Sequence, residues 1–156
     1  MDLYTLVKVA HVIGATVLLG TGAGIAFFML MAHRTRDPAL IAHTAGIVVA
    51  ADTVFTATAV VAQPITGAAL AHIVGYPILS GWIGLSLVLY VVTGLCWLPV
   101  VWIQLKLRDL ARAAACDGAP LPARYSKLFR VWFVLGFPAF AAVTGILWLM
   151  VAKPSF

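Results

Sequence analysis

The sequence predicts an all-α integral membrane protein, a four-helix bundle with both termini on the non-cytoplasmic side. Of its 156 residues, 63% are hydrophobic and 10% are charged, and the mean hydropathy is +1.08, far from the balance of a soluble domain. A helix needs about 20 apolar residues to cross a bilayer core. Four stretches satisfy this requirement and predict a single transmembrane domain over residues 1–156: Leu3–Met31, Ala45–Leu70, Trp82–Leu105 and Val131–Ala152.

The first stretch is interpreted as a membrane helix and not as a signal peptide. It is long and rich in glycine, and the residue before it is the acidic Asp2, whereas a signal peptide begins with a basic segment. Gly20 and Gly24 are small residues at four-residue spacing, which predicts close helix packing, and the fourth stretch has a similar pair, Ala141 and Gly145.

The basic residues are distributed unevenly between the connections. Only Lys8 and Lys153 lie toward one side, and eight others lie in the first and third connections: Arg34, Arg36, Lys106, Arg108, Arg112, Arg124, Lys127 and Arg130. The positive-inside rule therefore predicts that Cys116 is cytoplasmic and that Phe156 lies outside. Because topology explains the net charge of +5, the expected partner is the lipid bilayer and not nucleic acid.

Three connections join the predicted spans. The first, His33–His43, is short and predicts a helical hairpin, and the second, His72–Ser80, is uncharged and is expected to lie in the membrane interface or fold back into it. The third, Lys106–Lys127, is predicted to continue the third helix as an amphipathic stretch until Gly118 breaks it.

Two polar stripes are expected to face each other across the bundle. The second span has a stripe of Asp52, Thr56, Gln63 and Thr66, and the third has one of Trp82, Ser86, Thr93, Trp97 and Gln104. A buried carboxylate needs a partner or a proton. Asp52 is therefore either a proton-transfer or quinone-site carboxylate, or a structural anchor bonded to Gln104 or to a loop arginine.

His11 is the candidate ligand of a b-type haem. It shares a helix face with Gly14, Ala15, Leu18 and Gly22, and small neighbours leave space for a macrocycle beside an imidazole. The alternative is a histidine that hydrogen-bonds to another helix. Ser86 and Thr66 are expected at a similar depth, so that three helices enclose the pocket.

The other histidines suggest further ligands. His72 lies on the same side of the membrane as His11 and is the candidate second axial ligand, provided that Pro64 bends the second helix. His33 and His43 lie together at the opposite interface. They form either a second haem pair or ordinary solvated loop residues.

Several short segments resemble the HemJ-type membrane protoporphyrinogen oxidases. They are Lys8-x-x-His11, Pro64-Ile-Thr-Gly67, Gly81-Trp82, and Pro138 followed by Lys153-Pro154-Ser155-Phe156. Nearly the whole chain also resembles a bacterial family of predicted integral membrane proteins of unknown function, through phrases such as GLCWLPVVWIQLKLRDLA and WFVLGFPAFAAVTGILWLMVAKP.

The HemJ-type resemblance implies haem b bound through a histidine of the first helix, which His11 matches. The lysine that these proteins use in the third helix is absent near Ser86, which leaves the sixth haem position to His72. The family resemblance also implies a multi-pass protein of the bacterial inner membrane.

The leading functional hypothesis is a haem-b redox protein that passes electrons between a quinone and a partner subunit. The alternatives are a divergent porphyrinogen oxidase, and an accessory subunit or copper-handling protein that resembles the CopD-type proteins. Met29 and Met31 near His33 suggest the copper alternative, because copper transport uses methionine and histidine ligands. A homo-oligomer is left open.

Overall fold

The computed structural model describes residues 2–79 and 81–155. These residues form four antiparallel helices, and each is long and apolar enough to cross a membrane: α1 (Leu3–Thr35), α2 (Pro38–Val74), α3 (Gly81–Cys116) and α4 (Ala123–Ala152). The predicted all-α class and the four spans are therefore confirmed. The predicted side for Phe156 concerns a residue outside the described ranges.

The bundle has two chemically different ends. We call the end with the 36–37 and 117–122 connections the basic end, because the eight arginines and lysines of those regions gather there. We call the other end, where α1 begins and α4 ends, the terminal end. Apolar side chains cover the outside between the two ends, for example Leu95, which is 67% exposed. A lipid-facing bundle has such a surface.

The helices extend farther at the basic end than the apolar runs predict. The predicted first connection, His33–His43, is too long, since α1 continues to Thr35 and α2 already begins at Pro38. The Asp37 carboxylate caps α2 by accepting from two backbone N–H groups, and the proline fits the first helical position. Local capping chemistry thus sets this boundary, and hydropathy does not.

The other two connections differ in outcome, because α2 continues to Val74, past the predicted start of the second connection at His72, and the predicted interfacial position of that connection stays a prediction. The helical continuation of the third span is confirmed, since α3 ends at Cys116 and Gly118 follows with a φ of 61°. The second connection packs back onto the first turn of α3, where the Tyr76 ring meets the Trp82 ring edge-on at 5.7 Å. Ser80, the last residue of that predicted connection, lies outside the described ranges.

A π-helical turn over Asp52–Thr56 interrupts α2, between α-helical segments at Pro38–Ala51 and Ala57–Val74. Such a turn adds a residue to the helix and rotates everything that follows by up to about 100°. The two halves of α2 consequently present different faces to their neighbours. The first half packs mainly against α3 and also against α1, whereas the second half packs mainly against α1.

Pro64 lies within the second half of α2 and lacks the N–H that would bond to the Val60 carbonyl. The Tyr90 hydroxyl of α3 donates to that carbonyl instead. A side chain from the neighbouring helix thus satisfies the backbone group that the proline leaves free, as a helix in lipid requires.

The largest cluster of buried apolar residues lies in the basic half. It comprises Ile25, Met29, Ala32, Ile41, Ala42, Ala45, Val48, Ile103, Leu107, Ala111, Tyr125, Phe129 and Trp132. Toward the terminal end, α3 and α4 pack closely at Gly145. A methyl group added there would lie 3.2 Å from a side-chain carbon of Leu89. Within the chain, the predicted close packing at Gly20 and Gly24 is wrong, because a methyl group added at either position would meet no described atom of another helix within 4 Å.

Candidate functional site

Asp52 is the buried carboxylate of the bundle, with only 4% of its surface exposed. It is the first residue of the π-helical turn, and its Oδ1 accepts a hydrogen bond of 3.2 Å from Nε1 of Trp97 in α3. The partners predicted from the sequence are Gln104 or a loop arginine. The structure instead gives this role to Trp97, while Gln104 lies in the same cluster.

Three other oxygen atoms of this region are buried and have no hydrogen-bond partner within 3.5 Å among the described residues. They are Oδ2 of Asp52, Oγ1 of Thr56 and Oε1 of Gln104. Leaving such a group unsatisfied costs about 1–3 kcal/mol. The cluster therefore has hydrogen-bonding capacity that the protein itself does not use.

A cavity of about 230 Å³ adjoins the cluster, between α2 and α3. Its polar lining comes from Asp52, Thr53, Trp97 and Gln104, and its apolar lining from Val49, Ala57, Val101 and Leu105. The exposed side chain of Thr53 places part of this lining on the outer face of α2. A ligand in this cavity would be reached from the bilayer and would meet both an apolar wall and several polar groups.

The two predicted polar stripes meet only in this region. Asp52 faces α3, as expected, but Gln63 and Thr66 turn toward α1. The extra residue of the π-helical turn explains the difference, because it rotates the second half of α2 relative to the first.

His11 lies in a second polar cluster, between α1 and the second half of α2. Its Nδ1 is 2.8 Å from Oγ1 of Thr66, whose hydroxyl is also 2.8 Å from the Ala62 carbonyl. Since that carbonyl can only accept, the Thr66 hydroxyl donates to it and accepts from His11 Nδ1. This tautomer leaves the lone pair of His11 Nε2 available.

The space predicted beside His11 is partly filled. A methyl group added at Gly14 would lie 2.3 Å from Nε2 of Gln63, because that amide packs over the glycine and donates to the His11 carbonyl at 2.8 Å. The Gly14 face therefore does not fit a macrocycle. Gly67 lies against the imidazole ring itself, where an added methyl group would lie 3.2 Å from Cε1.

The other predicted haem residues are not brought into this cluster. His72 is exposed and lies about 7.5 Å farther along α2 than Gly67, at 1.5 Å per residue. Ser86 is buried, but its hydroxyl donates to the Trp82 carbonyl of its own helix. Thr66 is the predicted neighbour that contacts His11 directly.

The two histidines of the basic end are placed apart. His33 stacks on the Phe129 ring of α4 with a centroid distance of 3.7 Å, whereas His43 lines a groove next to Arg112 of α3. Within residues 2–79 and 81–155, no group of three or more histidine, cysteine, aspartate or glutamate side chains is arranged to hold a metal ion.

The sequence matches the model of a family described as predicted integral membrane protein (DUF2269), and the match extends over residues 5–154. The chain belongs to this family. The matched region includes nearly all of the four helices. This DUF2269 protein is therefore a multi-pass integral membrane protein. No curated protein and no solved structure matches this DUF2269 chain.

Sequence reasoning missed the π-helical turn and the Trp97 bond in this DUF2269 protein. One signal was present in two threonines, one within the turn and one just after it. The Thr53 hydroxyl donates to the Val49 carbonyl and the Thr58 hydroxyl to the Val54 carbonyl. Such bonds often bend a helix and satisfy its carbonyl groups. Threonines also make them in regular helices, so they do not identify a π-helical turn in a sequence.

Proposed function

We propose that the protein binds the ring of a lipid-soluble quinone or quinol in the Asp52 cavity and serves as a redox component of the membrane. The observation that carries the proposal is a cavity between two membrane helices, where the Trp97 N–H holds one oxygen of a buried carboxylate and the other carboxylate oxygen lacks a partner beside the Gln104 amide. Intramembrane ionisable residues commonly mark substrate or proton pathways.

The polar groups of the cavity match the chemistry of such a ring. A quinone has carbonyl oxygens that accept hydrogen bonds, and the Gln104 amide N–H groups supply the donors, since the Trp97 N–H already donates to Asp52. A quinol has hydroxyl groups that donate, and the free Oδ2 of Asp52 accepts from one of them and can take up one of the two protons that oxidation releases, while the second proton passes to water. The electrons would be exchanged with a partner redox protein. The apolar lining from Val49, Val101 and Leu105 suits the ring and the start of its tail.

Quinone binding predicts saturable quenching of Trp97 fluorescence. Titration of the purified protein in lipid nanodiscs with a short-tailed ubiquinone should reduce tryptophan emission to a plateau. Trp97→Phe should remove most of the saturable part, whereas Trp148→Phe should retain it, since Trp148 is 61% exposed and does not line the cavity. Quenching that never saturates, or that is the same in Trp97→Phe, would rule out the proposed site.

Haem b is the second candidate, and one observation favours it. Thr66 fixes the His11 tautomer with Nε2 unprotonated, which is how residues behind a ligating histidine prepare it for a metal. A haem would have to approach from the Nε2 edge, because Gln63 occupies the Gly14 face. His72 and Ser86 remain predicted haem contacts. Porphyrinogen oxidation and copper handling gain no supporting contact from the described residues.

The haem candidate predicts a b-type spectrum that depends on His11. The purified protein should show Soret and α bands on dithionite reduction, and His11→Ala should lose them because the axial ligand is removed. His43→Ala is the matched control, since His43 lies at the opposite end of the bundle. A purified protein without these bands would exclude haem and leave the quinone proposal untouched.

We also propose that the basic end faces the cytoplasm of a bacterial inner membrane, with both termini outside. The exposed Cys116 ends α3 at the basic end and provides the test. In intact cells, an impermeant maleimide should not label Cys116, whereas a cysteine introduced by Lys153→Cys in a Cys116→Ser background should react. The reverse labelling pattern would invert the proposed topology.

A further inference from the structure

A groove at the basic end combines an arginine with an apolar floor. It has a volume of about 500 Å³ and is lined by Ala42, His43, Gly46, Ile47, Ala50 and Arg112. It is separate from the Asp52 cavity and shares no lining residue with it. Five of its six lining residues belong to the first half of α2, and Arg112 reaches it from α3.

The Arg112 side chain lies against α2 at Gly46. A methyl group added at Gly46 would be 3.6 Å from a terminal nitrogen of the guanidinium. Helical side chains lean toward the N-terminus of their own helix, and for α3 that direction leads from the basic end into the bilayer. Arg112 therefore points toward the membrane, opposite to the usual snorkelling of an arginine at a helix end.

The guanidinium lacks a protein counter-ion at this position. Within the described ranges, the ion pair is the one between Arg108 and Asp109, and no carboxylate lies within pairing distance of Arg112. The exposed His43 beside it adds a second nitrogen-bearing side chain. A cation that points toward the headgroup level of a membrane without a carboxylate partner calls for an anion from the lipid.

We propose that this groove binds the phosphate of an anionic phospholipid. Arg112 would pair with the phosphate oxygens, His43 would donate to the headgroup, and the acyl chain would run over Ile47 and Ala50 toward the bilayer. An arginine suits this role because its planar fork donates two parallel hydrogen bonds to a phosphate. Basic pockets between membrane helices bind anionic lipid headgroups in this way.

Native mass spectrometry of the full-length protein tests the proposal. Detergent-purified protein is mixed with equal amounts of phosphatidylglycerol and phosphatidylcholine, and the lipid-bound fractions are compared. We expect preferential retention of phosphatidylglycerol. Arg112→Ala should reduce the preference about fivefold or more, and the matched control Arg124→Ala, an exposed arginine outside the groove, should keep it. Equal retention of the two lipids, or an unchanged preference in Arg112→Ala, would overturn the proposal.

Two further measurements test where the phosphate binds and whether it belongs to a lipid. Gly46→Leu fills the groove without removing a charge, so it should also reduce retention, and an unchanged lipid preference in this variant would place the lipid elsewhere. Circular dichroism checks that each variant keeps its helical content. Inorganic phosphate added at millimolar concentration should not displace the phospholipid, whereas full displacement would identify a soluble phosphate ligand and contradict the lipid assignment.

Discussion

Replacing Asp52 by alanine is expected to weaken quinol binding about ten- to hundredfold. A hydrogen bond to a charged group contributes about 1.5–3 kcal/mol, and each 1.4 kcal/mol corresponds to a factor of ten. Asp52→Ala removes both carboxylate oxygens, including the Oδ2 that lacks a protein partner. The measurement is a titration of the nanodisc-embedded protein with a short-tailed quinol, followed by the emission of Trp97.

Two control variants show whether the carboxylate itself binds the quinol. Asp52→Asn keeps a hydrogen-bonding side chain of the same shape, so binding should fall only a few-fold, although the amide cannot take up a proton. Ser86→Ala removes another buried polar group outside the cavity and should leave binding unchanged. If Asp52→Ala binds quinol as tightly as the unmodified protein, Asp52 is a structural anchor for Trp97 and not a ligand-binding group.

Replacing Phe129 by alanine should lower the free energy of unfolding by about 2–4 kcal/mol. Phe129 is 7% exposed and lies between the His33 ring, at 3.7 Å between centroids, and the Trp132 ring, at 5.6 Å. Its removal would leave a cavity at the interface of α1 and α4. The loss is smaller than in some water-soluble cores, because an unfolded membrane helix also keeps its apolar groups in lipid.

Tyr125→Phe is the matched comparison at the same interface. Its hydroxyl is buried without a partner among the described residues, so removing it should leave stability unchanged or slightly raised. Unfolding in mixed micelles, followed by circular dichroism as the fraction of denaturing detergent rises, measures both variants. A Phe129→Ala protein as stable as the parent would show that the stacked rings around Phe129 do not stabilise the basic half of the bundle. A Tyr125→Phe protein as unstable as Phe129→Ala would contradict the same prediction.

The number and class of the helices could be predicted from the sequence because the physical requirement is simple. A bilayer core demands long apolar helices, and apolar runs are visible without any knowledge of the partners. The helix ends are harder to predict. Hydropathy marks where the lipid ends, whereas α2 begins where the Asp37 cap and Pro38 allow it to begin.

The candidate sites could be predicted less completely. Asp52 and His11 stand out in the sequence because burial of an ionisable group is costly, and the structure places both within polar clusters. Their partners depend on helix rotation, which a period of 3.6 residues predicts only for an uninterrupted helix. Gln63 shows this limit, since the pattern puts it on the same stripe as Asp52 but it packs over Gly14.

The π-helical turn makes the second helix sensitive to its residue count. Deleting a residue within Asp52–Thr56 would restore regular α-helix, shift the following segment by about 1.5 Å and turn it by about 100°. The Asp52–Trp97 bond on one side of the turn and the His11–Thr66 bond on the other would then no longer form together. Substitutions in this segment change single side chains, whereas a deletion or insertion changes the relation between the two polar clusters. Length variation should therefore be far less tolerated within this turn than in the exposed 117–122 connection.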